Sequence, residues 1–150
     1  MKLEEAISNP KFSSEVQKAT INLLYTAHWL RSQISLNLKN LDLTPEQYNI
    51  MRILKGKHPD KMCVKDLGRR MIEKSSNVPR ILDRLERKGL VERNQSLGDK
   101  RETMTILTKK GLDLLVVANE LVKNNEHSLM NLDEATAAKL NEILENLRDI

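Results

Sequence analysis

Apolar residues recur every three or four positions along most of this chain, which is the spacing of one face of an α-helix. The first such stripe covers about 25 residues from Val16, after a capping box in which Ser14 precedes Gln17 by three positions. Its other members are Thr20, Leu23, Leu24, Ala27, Leu30, Ile34, Leu38 and Leu41. Since average helices have about 11–12 residues, we expect this one to pack beyond its own small domain.

Two shorter helices are predicted next. Thr44 and Pro45 are favourable N-cap and first-turn residues, and Gln47 completes a capping box. Gly56 ends this helix. The following helix covers residues 64–72, and its inward side chains are predicted to be Val64, Leu67, Met71 and Ile72.

Another helix is predicted to begin within residues 75–77 and to end before Gly89, a residue type that suits a left-handed helix terminus. Because Pro79 has no backbone N–H, it fits a first turn, where that donor has no helical partner. We therefore expect Ser76 to be the N-cap and Pro79 the third helical residue, although proline disfavours helical dihedrals at Val78. The inward side chains are Ile81, Leu82 and Leu85.

Two short strands, residues 90–93 and 103–107, then flank a polar loop and predict a hairpin with a charged tip. Thr108 caps a long helix, and a final helix begins near Asp133. The predicted fold class is mainly α with a small β-hairpin wing. This order is that of a winged helix-turn-helix between N- and C-terminal helices, in which the second helix of the pair enters a DNA major groove.

Charge supports this interpretation. The 150 residues carry a net charge of +4, but residues 61–111 hold 14 basic and 7 acidic side chains, a net +7. Residues 112–150 hold 3 basic and 8 acidic side chains, a net −5. A basic central segment is typical of proteins that bind a polyanion such as double-stranded DNA.

Composition excludes other classes. One cysteine rules out an internal disulfide framework and a Cys-clustered zinc site. No apolar run approaches the ~18–20 residues that cross a bilayer, and the first residues lack the apolar stretch of a secretory signal. We therefore expect a cytoplasmic protein with no membrane partner.

The candidate DNA-binding residues lie on the polar face of the predicted recognition helix and at the wing tip. Serine hydroxyls and helix N-termini bind phosphate, whereas arginine pairs with guanine and asparagine with adenine. Arg87 alternates with Asp83 and Glu86, as a solvated surface would, so it is set aside. The candidates are Ser75, Ser76, Asn77, Arg80, Arg84, Lys100 and Arg101.

The segments 44–54, 64–71, 75–93, 99–101 and 107–111 together resemble the MarR family of bacterial winged-helix regulators. The strongest matches are residues 83–93, an Asp-x-Arg wing and a Leu-Thr-x-x-Gly segment. The resemblance covers residues 12–148. It implies a single domain over residues 1–150, with dimerisation helices at about 12–42 and 110–148 and a DNA-binding region at about 43–109.

The same resemblance implies a homodimer that binds a pseudo-palindromic operator, most simply as a repressor, with no cofactor and no enzymatic activity. It assigns Arg101 to the minor groove and Asp99 to steadying the wing. Pro79 stands where the family more often has a hydroxyl residue, so Arg80 or Asn77 is expected to matter more. Many members release DNA when a small aromatic or phenolic effector binds.

Three side chains of the first long helix, Tyr25, His28 and Trp29, are candidates for an effector pocket. We favour simple packing for them and keep the pocket as the alternative. Packing is also favoured for Cys63 over redox sensing, because peroxide-sensing members carry their cysteine in the first helix. A metal site is disfavoured because the histidines, His28, His58 and His127, are far apart in sequence.

Two other functions compete with DNA binding. A winged helix can serve as a protein–protein interaction module, but such a surface need not be cationic, so the basic segment and wing argue against it. An enzyme is disfavoured because the chain has no Gly-rich phosphate loop, nucleophile elbow or HExxH pair.

Overall fold

The computed structural model describes residues 1–8, 11–96, 98 and 102–149, apart from the side chains of residues 125–128. The helices and strands follow one another in the predicted winged helix-turn-helix order, which confirms the fold class. In chain order they are α1 (Leu3–Ala6), α2 (Glu15–Lys39), α3 (Pro45–Lys55), β1 (Met62–Cys63), α4 (Val64–Arg70), α5 (Val78–Arg87), β2 (Val91–Gln95), β3 (Thr103–Leu107), α6 (Lys109–Met130) and α7 (Glu134–Asn146).

Side-chain caps define the starts of four helices as the sequence predicted. Ser14, Thr44, Thr108 and Asp133 each accept a hydrogen bond from a backbone N–H in the first turn. Such a bond satisfies a donor that has no partner inside the helix. The donating N–H groups belong to Gln17, Gln47, Gly111 and Thr136.

The predicted start of the recognition helix is wrong by one residue. Asn77, rather than Ser76, is the N-cap, and its side chain accepts from the backbone N–H of Arg80 at 3.1 Å. Pro79 is therefore the second helical residue, where its missing N–H again costs no helical bond. Val78 begins the helix despite the following proline, because its side chain is buried in the core.

The sheet has a third strand that the sequence pattern did not predict. β1 pairs with β3, which pairs with β2, and both pairings are antiparallel. The first wing strand begins at Val91 and continues to Gln95, so the predicted range 90–93 is wrong at both ends. β1 is only two residues long, too short to show an alternating pattern.

One core packs α3, α4 and α5 against the sheet and the first half of α6. Leu67, Leu82, Leu85 and Leu115 are almost completely buried in it. Ile72 was predicted to point inward, but α4 ends at Arg70 and the Ile72 side chain is 85% exposed. Cys63 is buried beside this core and lies at the N-cap of α4.

The terminal helices are scarcely packed within one chain. Leu38 is the buried residue of α2, and none of the residues of α7 is buried. Among the described residues, no helix is both long enough and apolar enough to cross a membrane. α2 therefore forms a long arm with much of its surface exposed, whereas α6 packs on the core through Leu115, Ala118 and Val122.

Candidate nucleic-acid interface

The outer face of α5 presents cations. Arg80, Arg84 and Arg87 follow one another at helical spacings of four and three residues, and all three side chains are exposed. Within the described part of the chain, none of them forms an ion pair with a carboxylate. Their charges are therefore available to an external anion; that Arg80 and Arg84 contact DNA stays a prediction from the sequence.

The acidic residues of the same helix form ion pairs with Arg93 on β2. Its guanidinium contacts the carboxylates of Asp83 at 2.7 Å and Glu86 at 2.5 Å. The hydrogen bond to Glu86, supplemented by the one to Asp83, raises the pKa of Arg93 above its ordinary value. Arg93 thus neutralises the carboxylates of the recognition helix and joins that helix to the wing.

The sequence interpretation missed this role of Arg93. It treated Asp83 and Glu86 as partners of a solvated arginine surface. A signal was present, because the two acids are three residues apart and so share one helix face. Their partner, however, lies across a helix-to-strand turn, where helical spacing says nothing about which side chain will meet them.

The N-terminal end of α5 is exposed and ordered by its own side chains. Ser75 donates a hydrogen bond from its hydroxyl to Glu73 at 2.7 Å. Asn77 is exposed, and only the oxygen of its side-chain amide accepts the capping bond, so the amide nitrogen takes no part in the cap. The Ser76 hydroxyl oxygen is buried and has no hydrogen-bond partner among the described residues. A groove of about 290 Å³ between this end and α3 is lined in part by Ser76, Asn77, Arg80 and Arg84.

The C-terminal end of α5 is fastened to the start of α6. Gly89 has a φ of 70°, and the N–H of Leu90 bonds back to the carbonyl of Leu85, which is a Schellman ending. Thr108 donates from its hydroxyl to the Gly89 carbonyl at 2.7 Å, and its N–H donates to Leu90 at 3.1 Å. The recognition helix and the long helix α6 therefore share one hydrogen-bonded junction.

The predicted wing-tip residues Asp99, Lys100 and Arg101 lie outside the described residues. The hairpin is defined as far as the pair Gln95 and Thr103, and the N–H of Ser96 donates to the carbonyl of Glu102 at 2.8 Å. The assignment of the three wing residues to DNA binding therefore still depends on the sequence.

A cavity of about 470 Å³ lies between α2, the start of α3 and the turn that follows α4. Of the three candidate effector residues, His28 lines it, whereas Tyr25 and Trp29 do not. Both of those side chains are half-buried. The remaining lining combines apolar groups with the charged Arg31, Glu46 and Glu73. Across the described residues, no group of three or more His, Cys, Asp or Glu side chains is placed to hold a metal ion.

The long helices carry a broad exposed apolar surface. Large apolar side chains on α2, α6 and α7 are between 39% and 77% exposed. Where such side chains adjoin one another, the exposed apolar surface marks an interaction site in soluble proteins. The residues are Val16, Leu23, Leu24, Leu36, Val116, Val117, Met130 and Ile143.

Comparisons with known proteins agree with this geometry. Residues 43–103 match the family model described as the MarR family. The chain is 33% identical over 111 residues to the HTH-type transcriptional regulator SarZ of Staphylococcus saprophyticus, and the alignment covers 73% of each protein.

Two solved structures share the fold over nearly the whole chain. One is a mutant MarR from E. coli complexed with operator DNA, with a TM-score of 0.79, 22% identity, and coverage of 92% of this chain and 99% of that one. The other is the organohalide-sensing regulator RdhR in its 2,4-dichlorophenol-bound form, with a TM-score of 0.81, 22% identity, and coverage of 91% and 80%.

Proposed function

Because the chain belongs to the MarR family of transcriptional regulators, we propose that it binds a pseudo-palindromic operator as a homodimer and represses transcription there. The observation that carries the proposal is the division of charge on α5. Arg93 holds Asp83 and Glu86, while Arg80 and Arg84 remain exposed on the outer face. The E. coli MarR structure with operator DNA supports the same use of this fold.

Within this proposal, α5 lies in the major groove. Arg80 and Arg84 contact guanine edges or phosphates, and a good bidentate contact contributes about 1–3 kcal/mol of base discrimination. The side-chain amide of Asn77 binds the adjacent backbone. The Ser75 hydroxyl would join it on exchanging Glu73 for a phosphate, and the Ser76 hydroxyl, buried in the free protein, on turning outward. Asn77 also caps α5, so its replacement will affect both the helix and the contact.

The wing contributes through its sequence motif. Arg101 enters a flanking minor groove, Lys100 contacts phosphate and Asp99 steadies the loop. If Arg101 contacts backbone, replacing it with alanine lowers affinity several-fold and reduces the slope of log affinity against log salt by about one unit. An unchanged affinity would remove the wing from the proposal.

The homodimer is supported by the exposed apolar side chains of α2, α6 and α7, which a second copy would cover in a self-complementary interface. Sedimentation at micromolar concentration is expected to show twice the chain mass of 17.3 kDa. A stable monomer under those conditions would contradict the dimer.

A small aromatic or phenolic effector is the proposed signal for release. The cavity between α2 and the turn ahead of α5 supports this proposal. The cavity lies where α2 meets the winged helix, and its lining combines apolar groups with His28. RdhR, with 2,4-dichlorophenol bound, has the same fold. Titration of a phenol panel into the protein–DNA complex tests this, with His28→Ala as the variant that should weaken the response.

The proposed function is tested by selecting genomic fragments with the purified protein and measuring gel shifts on the enriched sequences. We expect a shared inverted repeat that binds at least about a thousandfold more tightly than random DNA. If no fragment is enriched and every shift equals that on random DNA, the proposal is wrong, and a protein–protein interaction module becomes the better interpretation. Operator binding also implies a cytoplasmic location.

A further inference from the structure

Arg31, near the middle of α2, reaches carboxylates on two separate parts of the winged helix. Its Nη1 donates to Glu73 at 3.1 Å, and its Nη2 donates to Glu46. Glu46 lies in the first turn of α3, and Glu73 lies in the turn between α4 and α5. One guanidinium therefore connects α2 both to the start of α3 and to the turn that precedes the recognition helix.

The connection continues from Glu73 towards the start of α5. The second carboxylate oxygen of Glu73 accepts a hydrogen bond from Ser75, two residues before the N-cap Asn77. The same turn is fixed to α3 through Asn49, which accepts from the backbone N–H of Ile72 at 3.0 Å. The turn is thus attached to α3 by Asn49 and to the arm by Arg31.

We propose that Arg31 is a positioning residue for DNA recognition, which fixes the start of α5 relative to α2 and thereby the separation of the two recognition helices in the dimer. This inference rests on the proposed function, since it assumes that α2 belongs to the dimer and α5 to the DNA contact. Arginine suits the role because its planar guanidinium has several donors in fixed directions, whereas lysine is a point charge on a flexible stem.

Exposure indicates that the contacts act through geometry more than through stability. The side chains of Arg31 and Glu73 are 50% and 47% exposed. The pair with Glu73 contributes little to folding free energy at such exposure, and the pair with Glu46, whose side chain is 22% exposed, contributes at most about 1 kcal/mol. Removal of Arg31 should therefore leave the folded dimer intact while loosening the turn.

Loss of Arg31 would also leave two uncompensated carboxylates near the DNA-binding face. Glu46 lines the groove that Arg80 and Arg84 share, so its charge would oppose a phosphate. Two variants separate this effect from positioning: Arg31→Lys keeps the positive charge without the rigid fork, and Glu73→Gln removes one carboxylate. Lys57→Gln, in the exposed loop after α3, is the control for the loss of one positive charge.

The test measures the affinity of each variant for the selected operator fragment and for random DNA of equal length. For Arg31→Gln, operator affinity should fall roughly 3- to 30-fold. Affinity for random DNA should fall less, because it depends on phosphate contacts alone and loses only the share that the unpaired carboxylates oppose. Arg31→Lys should resemble Arg31→Gln, and Lys57→Gln should resemble the wild type. The proposal would be overturned if the ratio of operator affinity to random-DNA affinity in Arg31→Gln equalled that of the wild type. It would also be overturned if Arg31→Lys bound the operator as tightly as the wild type.

A double-variant cycle examines whether Arg31 acts through Glu73. The Arg31→Gln/Glu73→Gln protein should lose no more operator affinity than Arg31→Gln alone, because the two residues form one connection. Fully additive losses would overturn that connection.

Amide hydrogen exchange provides a readout without DNA. In Arg31→Gln, exchange of residues 72–81 should quicken while that of α6 stays unchanged. If the wild type selects no operator, the proposed function fails, but exchange still decides whether Arg31 holds the turn. Unchanged exchange would mean that it does not.

Discussion

Gly111, in the first turn of α6, is the glycine whose replacement should most disturb the junction with the recognition helix. A Cβ atom added there would lie 2.1 Å from the carbonyl oxygen of Leu90 and 3.2 Å from a methyl group of Leu107. The first of these atoms belongs to the backbone and cannot rotate away. The start of α6 would therefore have to move from the end of α5.

The expected cost follows from three terms. Helix propensity favours alanine over glycine by up to about 1 kcal/mol, whereas overpacking costs about 1–3 kcal/mol. The movement also strains the bond from Thr108 to Leu90, which contributes about 1 kcal/mol. We expect Gly111→Ala to lower the free energy of unfolding by about 2 kcal/mol.

Gly68, within α4, provides the matched control. A Cβ atom there would be 3.9 Å from Val78, an ordinary contact. Gly68→Ala should therefore raise the free energy of unfolding by about 0.5–1 kcal/mol.

Urea unfolding of both variants at one fixed protein concentration measures the difference, because the stability of a dimer depends on concentration. The reasoning is refuted if Gly111→Ala unfolds at the wild-type urea concentration or above it while Gly68→Ala behaves as expected.

Substitutions at three other positions test separate contacts. Arg93→Met should lower the free energy of unfolding by at most about 1 kcal/mol but weaken DNA binding measurably in gel shifts, because no cation then compensates the carboxylates of Asp83 and Glu86. Asn77→Ala should cost about 1 kcal/mol of stability and Asn77→Ser much less, since serine also caps helices; equal losses in thermal unfolding would contradict the cap. Hydrogen bonds from the backbone and side chain of Thr136 hold the pKa of Asp133 below its ordinary value of 3.8. The stabilisation of α7 by this carboxylate is thus complete above that value and lost as the pH falls through the lowered pKa, so acid titration of the α7 amide signals by NMR should show a transition that Asp133→Asn lacks.

Features encoded by neighbouring residues were predictable from the sequence. The caps at Thr44 and Thr108 and the glycine ending at Gly89 each depend on residues within one helical turn of one another. The order of helices and wing strands followed from these boundaries and from hydrophobic spacing.

Features that join distant parts of the chain were not predictable in the same way. β1 exists because Met62 and Cys63 pair with β3, some forty residues later in the sequence. The contacts of Arg31 with Glu73 and of Arg93 with Asp83 likewise cross between elements. Ile72 continued the apolar pattern of α4, but the helix ended before it and left the side chain exposed.

The central claim is that two copies of α5 bind one DNA site. Hydroxyl-radical footprinting on the selected fragment tests it most directly, with Arg80→Gln/Arg84→Gln as the comparison protein. We predict two protected half-sites with centres about one helical turn or a multiple of it apart, roughly 34–36 Å per turn. The variant should still sediment as a dimer but leave both half-sites unprotected. A single protected site, or unchanged protection with the variant, would contradict the account.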